Sequence, residues 1–171
     1  MPSKLTNFLQ EETDYQLKYQ LYSLNMGFFT KKEKPFKGIR FDNYAYSRKK
    51  GVFLIYEWEI ENSEEACINN IKKVHKILSY KWCPYLHMFH IFSPSCESYR
   101  RSCEKVADKL KNKYRFRFTY KPFTINISYD DFLKIENLFK RNQKQAKQRC
   151  GKRLRTHIGK IVRESIKMFT G

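Results

Sequence analysis

The stretch Val52–Ile60, VFLIYEWEI, with the turn Ser47–Gly51 (SRKKG) before it, decides how the rest of the chain reads. β-branched and aromatic side chains at most of its positions are what a packed, pleated strand selects. A second run, Ile39–Tyr46, lies just upstream of the turn. With Lys49 and Lys50 at the tip of a hairpin, opposed residues carry numbers summing to 99, so Asp42 faces Glu57 across the strands. Glu59 follows on the same face, which also carries Phe53 and Ile55.

Working outward, Met26–Thr30 reads as a first strand, with a loop over Lys31–Lys37 after it. Before it, Leu5, Phe8 and Leu9, then Leu17, Leu21 and Leu24, recur at helical spacing. Beyond the hairpin, Asn62 with Glu65 three residues on is a helix N-cap arrangement, and Cys67, Ile71, Val74 and Leu78 stripe one face. The resulting helix, 63–79, is long enough to cross over between two parallel strands. Tyr85–Phe92 (YLHMFHIF) is apolar on both faces, as a central strand should be. Ser93-Pro94 opens another helix, striped by Tyr99, Cys103, Val106 and Leu110, and Arg115–Tyr120 closes the body as a strand. The fold class expected is therefore α/β, a mixed central sheet flanked by helices.

The body spans 1–127, and 128–171 reads as a basic helical extension. Ser128 or Asp130 caps a helix bearing Phe132, Ile135, Leu138 and Phe139. A break is expected at Gly151, followed by an amphipathic helix with Leu154, Ile158, Ile161, Val162, Ile166 and Phe169 on its stripe.

The chain has 171 residues and a formal charge of +18, and 41% of its residues are hydrophobic, too many for a disordered basic tail. Residues 140–171 hold 11 Lys or Arg and a single acid, Glu164. Such a field attracts polyanions, which makes nucleic acid the first candidate partner. The contacts expected for it are Lys140, Arg141, Lys144, Lys147, Arg149, Lys152, Arg153 and Arg155. An anionic membrane is the rival partner for a basic amphipathic helix. No run approaches the roughly 20 apolar residues of a membrane span, and a membrane is not expected as a partner. Cys67, Cys83, Cys96, Cys103 and Cys150 are odd in number and form no CxxC pair, so they read as reduced thiols. With no long apolar leader, an intracellular chain, cytoplasmic or nucleoid-associated, is expected.

Three carboxylates on one hairpin face repel one another unless a cation or proton neutralises them. Mg2+ suits them, since it takes one or two carboxylates together with waters and phosphate. The alternative is that Glu57 and Glu59 pair with Arg40 and other strand bases on a solvent-facing side. Other chemistries lack their motifs. His87 and His90 point to opposite faces of a strand, and neither GxxxxGK[ST] nor GxGxxG occurs. Ser93-Pro94-Ser95-Cys96 lacks the glycines of a nucleophile elbow. The row Phe116, Phe118 and Tyr120 fits a core strand better than a base-stacking platform.

Helix, three strands with Asp42 in the second and Glu57-Trp58-Glu59 in the third, then helix and strand, resembles the core of the PD-(D/E)XK nuclease superfamily, the restriction endonuclease-like fold, over about residues 5–93. The resemblance implies an αβββαβ core and metal-assisted hydrolysis of phosphodiester bonds, with Asp42 and Glu57 binding Mg2+ or Mn2+. The third motif position, usually Lys, is Glu59 here, as in some restriction enzymes, and would orient or deprotonate the attacking water. A further acid on the first helix is implied, with Glu12 favoured over Glu11 and Asp14. A cation in place of the missing Lys would come from Lys72, Lys73 or Lys76. Double-stranded DNA is the substrate implied, ahead of RNA, and cutting both strands would need a homodimer. A non-catalytic DNA- or RNA-binding protein using the basic helices is the alternative function.

Overall fold

The structure is a computed structural model that describes residues 2–80 and 85–170. Cys83 lies outside the described residues, and the other four cysteines are free thiols. Helix α1 (Lys4–Tyr22) is capped by Ser3, whose hydroxyl accepts from Thr6 N at 3.1 Å. Strand β1 (Phe28–Lys32) follows, then a short hairpin of β2 (Pro35–Phe36) and β3 (Ile39–Arg40), and then β4 (Asn43–Ser47) and β5 (Val52–Glu59). The second half holds α2 (Glu64–Lys72), α3 (Val74–Leu78), β6 (Tyr85–Phe92), α4 (Arg100–Tyr114), β7 (Phe118–Thr124), α5 (Tyr129–Arg141) and α6 (Gln143–Thr170). The main sheet runs β1-β4-β5-β6-β7. Its first two pairings are antiparallel and its last two parallel, which bears out a mixed sheet with a helical crossover after β5.

The hairpin register is the one the sequence sets, with Asn43 opposite Tyr56 and Ser47 opposite Val52. The connection is longer than two residues, spanning 48–51 with Gly51 at φ 63°, but it lengthens symmetrically and so leaves the pairing unchanged. Alternation then splits β5 between two cores. Leu54, Tyr56 and Trp58 pack under α1, α5 and α6 with Phe89, Ile91, Phe132 and Leu154. Phe53 and Ile55 pack under α2, α3 and α4 with Met88, Phe92, Ile71 and Cys103.

Several boundaries differ from expectation. Ser63, not Asn62, caps α2, its side chain accepting from Ala66 N at 3.2 Å. The expected single helix over 63–79 is interrupted at Lys73. Arg115 ends α4 with φ 52°, so the last strand begins at Phe118 after a 3-10 turn. The expected break at Gly151 is absent, since Gly151 lies buried inside the continuous helix α6. The chain turns instead at Asn142, which is extended and whose Oδ1 accepts from Gln145 N at 3.1 Å. Asn142 thus caps α6, the role its short polar side chain performs well. Helix α6 lays Leu154, Ile158, Val162 and Ile166 into the same core as α1, and Tyr56 and Ser165 hydroxyls hydrogen-bond at 2.5 Å across it. No helix among the described residues is long and apolar enough to cross a membrane.

Candidate active site

Open α/β sheets bind ligands beyond the carboxyl ends of their parallel strands. A cavity of about 580 Å3 opens there, lined among others by Asp42, Glu57, Asn62, Asn70 and Lys73. Asp42 lies one residue before β4 and Glu57 near the end of β5, so the register brings their carboxyl groups into a hydrogen bond with each other.

Two carboxyls can share a hydrogen bond only if one holds a proton. Burial, and then the neighbouring charge of Asp42, push Glu57 well above the usual carboxylate range, with Lys73 opposing. Burial also raises Asp42 to about 6, although the Trp58 N–H, Glu57, Gln10 and Lys73 all pull it down. Glu57 therefore donates and Asp42 accepts. The rest of Asp42 is firmly held, with Trp58 N donating to Oδ2 at 2.7 Å and Gln10 Nε2 to Oδ1 at 2.9 Å. Lys73 completes the group. Its Nζ lies 2.5 Å from Glu57 Oε1, donates to the Arg40 carbonyl at 2.6 Å and sits 4.9 Å from the centre of the Phe41 ring. The interruption between α2 and α3 falls at this lysine.

Glu57 is 2% exposed and Glu59 is fully buried, which removes the reading of both as partners of Arg40 on a solvent face. Arg40 instead lies 3.8 Å from Glu33. Glu59 shares Glu57's face but belongs to a different group of side chains. Its Oε1 accepts from His90 Nε2 at 2.7 Å and Asn70 Nδ2 at 2.5 Å, and its Oε2 accepts from Asn62. Burial alone would raise its pKa, but these hydrogen bonds win and hold it at about 2. Burial pulls His90 below the usual imidazole range against the opposing pull of Glu59, and its Nδ1 meets the Tyr120 hydroxyl at 2.8 Å. With three hydrogen bonds to its two oxygens, Glu59 braces β5, β6 and α2 rather than joining the Asp42–Glu57 pair.

Glu12 does not join the carboxyl pair either. It accepts from Arg155 Nε at 3.0 Å, on the side of α1 turned to α6. The α1 residue that reaches the site is Gln10, two positions earlier and so across the helix. Its Nε2 bridges Asp42 and Glu33, while its Oε1 is buried without a partner. The sequence carried a signal for it, because Gln10 falls in phase with Leu17 and Leu21 and a polar residue in a core stripe needs a buried partner.

Among the described residues no three acidic, histidine or cysteine side chains form a ready metal cage. Asp42 and Glu57 are the residues that could hold a divalent cation. Two carboxyls held together by a shared proton are a place where a cation can replace that proton, and Mg2+ characteristically takes only one or two protein carboxylates.

The basic residues divide by partner. Lys140 reaches Glu61 on the cavity rim at 3.0 Å, Arg155 is taken by Glu12, and Arg153 lies 3.7 Å from Asp131. Arg141, Lys144, Lys147, Arg149 and Lys152 form no ion pair among the described residues. Compared with protein-family models, with curated proteins and with solved structures, the chain matches none.

Proposed function

We propose that this chain is a divalent-metal-dependent endonuclease of restriction endonuclease-like fold that hydrolyses phosphodiester bonds of DNA. The observation that carries the reading is the Asp42–Glu57 carboxyl pair, with Lys73 beside it, at the mouth of an open cavity. The element order helix, three antiparallel strands, helix, parallel strand supports the same reading.

Asp42 and Glu57 would hold Mg2+ or Mn2+, which when bound polarises a phosphate and makes a bound water acidic. Gln10 and the Trp58 N–H fix the Asp42 carboxylate before any ligand arrives, so no reorganisation is needed at that group. Lys73 takes the cationic place that Glu59 leaves empty. Its ammonium offsets the negative charge of a phosphate brought beside two carboxylates. Glu59, by tying Asn62 and Asn70 to His90, fixes two amides that line the cavity.

The test is incubation of supercoiled plasmid with the protein in Mg2+, in Mn2+ and in EDTA. Nicking is expected with either metal and not in EDTA, and it should disappear in Asp42→Asn, Glu57→Gln and Lys73→Met. A single pair cuts one strand per encounter, so linear product would require two copies acting together. The unpaired cations of α6 favour one other reading, a nucleic-acid-binding protein without catalysis, and a band shift with no cleavage in any lane would select it.

A further inference from the structure

A second cavity, about 770 Å3, lies between the C-terminal ends of α1 and α6, at the opposite end of α1 from the carboxyl pair. It is lined by Tyr15, Lys18, Tyr19, Tyr22, Arg163 and Lys167 among others. The three tyrosines are 64%, 73% and 89% exposed. They stand at i, i+4 and i+7 on one face of the helix, a rise of about 10 Å from first to last. None of these rings stacks on another aromatic among the described residues, and none of their hydroxyls has a hydrogen-bond partner there.

The charge around them has one sign. Lys18 is paired with Asp14 at 2.7 Å, but Arg163 and Lys167 form no ion pair among the described residues. Glu164, the only acid of α6, faces a different cavity, beside Thr124 at the end of β7 and Ile125 just after it. Arg163 and Lys167 also end an exposed row on α6 that begins at Arg149 and continues through Lys152, Arg153 and Lys160. At 1.5 Å per residue this row is about 27 Å long.

We propose that this groove binds single-stranded nucleic acid, with bases stacking on Tyr15, Tyr19 and Tyr22 and phosphates following the basic row through Lys167 and Arg163. Aromatic faces beside a track of cations are what a single strand needs, because its bases are free to stack, whereas a duplex has already stacked its own. A second copy of the chain fits poorly. A two-fold contact through this face would set Arg163 and Lys167 against their own images. A lipid surface fits poorly as well, because α1 buries its aliphatic side chains Leu5, Leu9, Leu17 and Leu21 in the core and offers chiefly phenols. The inference rests on this surface alone and not on cleavage.

Fluorescence anisotropy in EDTA tests it, with a labelled oligothymidylate and a labelled duplex of equal length. Tyr19→Ala and Tyr22→Ala, both at exposed positions, should each weaken oligothymidylate binding by about tenfold, within the range of one lost base stack. Tyr19→Phe should retain the affinity, and duplex binding should stay unchanged in all three. Alanine variants that bind the oligomer like the parent would overturn the proposal, as would equal losses on both ligands. Two further results would assign the groove elsewhere and so also reject it. One is a dimer by light scattering that Tyr19→Ala dissolves. The other is binding to phosphatidylserine vesicles that the alanine variants lose while oligomer affinity is untouched. Because metal is absent throughout, an inactive plasmid assay and a failed groove are separate results.

Discussion

At the residue scale, the two acids of the Glu57-Trp58-Glu59 triplet have opposite effects on stability. Glu59 falls from 4.5 to about 2 on folding. Its contribution is complete above pH 4.5 and is lost as pH falls through about 2. Asp42 moves the other way, from 3.8 to about 6, and Glu57 rises with it. The folded state holds these protons more tightly, so stability declines as pH rises through about 4 to 6 with Asp42, and goes on declining above that until Glu57 too gives up its proton. Glu57→Gln keeps the shape and donates to Asp42 without the proton that burial makes Glu57 hold. It should raise the thermal midpoint at pH 8, by about 1–3 kcal/mol of stability, while abolishing cleavage. Differential scanning calorimetry at pH 4 and pH 8 checks the sign, since the gain should shrink at the lower pH. The Asp42–Glu57 apposition was legible in the sequence because two strands and a turn fix which side chains oppose. What Glu59 does was not, because His90, Asn62 and Asn70 reach it from three separate segments. Gln10 lies outside what the family resemblance implies, because that resemblance calls for a carboxylate on the first helix and Gln10 offers an amide.

At the element scale, α6 shows what pattern reading misses. Its first turns, Gln143 to Arg149, look like a polar linker because they precede the main packed stretch, and Gly151 then resembles a stop. The real boundary is the Asn142 cap, a signal present in the sequence but outweighed by the glycine. Both helix glycines cost conformational entropy, and their surroundings predict different outcomes on replacement. A methyl at Gly159 would meet Arg163 Nη1 at 3.3 Å and Gln16 Oε1 at 3.7 Å, the ends of flexible side chains. A methyl at Gly151 would meet Arg155, which is tied to Glu12 and lies over the Phe8 ring. Gly159→Ala should therefore stabilise by about 0.5–1 kcal/mol in urea unfolding, and Gly151→Ala by less. Tyr56→Phe, which removes the bond from β5 to Ser165, should cost about 1 kcal/mol by the same measurement.

At the scale of the whole molecule, the +18 charge makes salt the sharpest probe of any polyanion contact. If Lys144, Arg149 and Lys152 each neutralise a duplex phosphate, replacing all three by Ala should lower the slope of log affinity against log salt by nearly 3. A filter-binding titration at several salt concentrations measures it, and an unchanged slope would remove this face from the contact. The layering of the sheet followed from alternation in VFLIYEWEI, whereas the approach of α6 to α1 runs through Gly159, beside Gln16, and through Glu12, which holds Arg155, residues with no periodic signature.

The Tyr56–Ser165 bond joins residues 109 positions apart. During synthesis, the sheet face bearing Leu54, Trp58, Phe89 and Ile91 cannot be fully covered until nearly all of α6 has emerged. For that interval a finished sheet presents an open apolar side to solvent and to any neighbouring chain. A substitution that merely slows the docking of α6 would then show itself as aggregation and low yield, even where the folded protein is as stable as its parent.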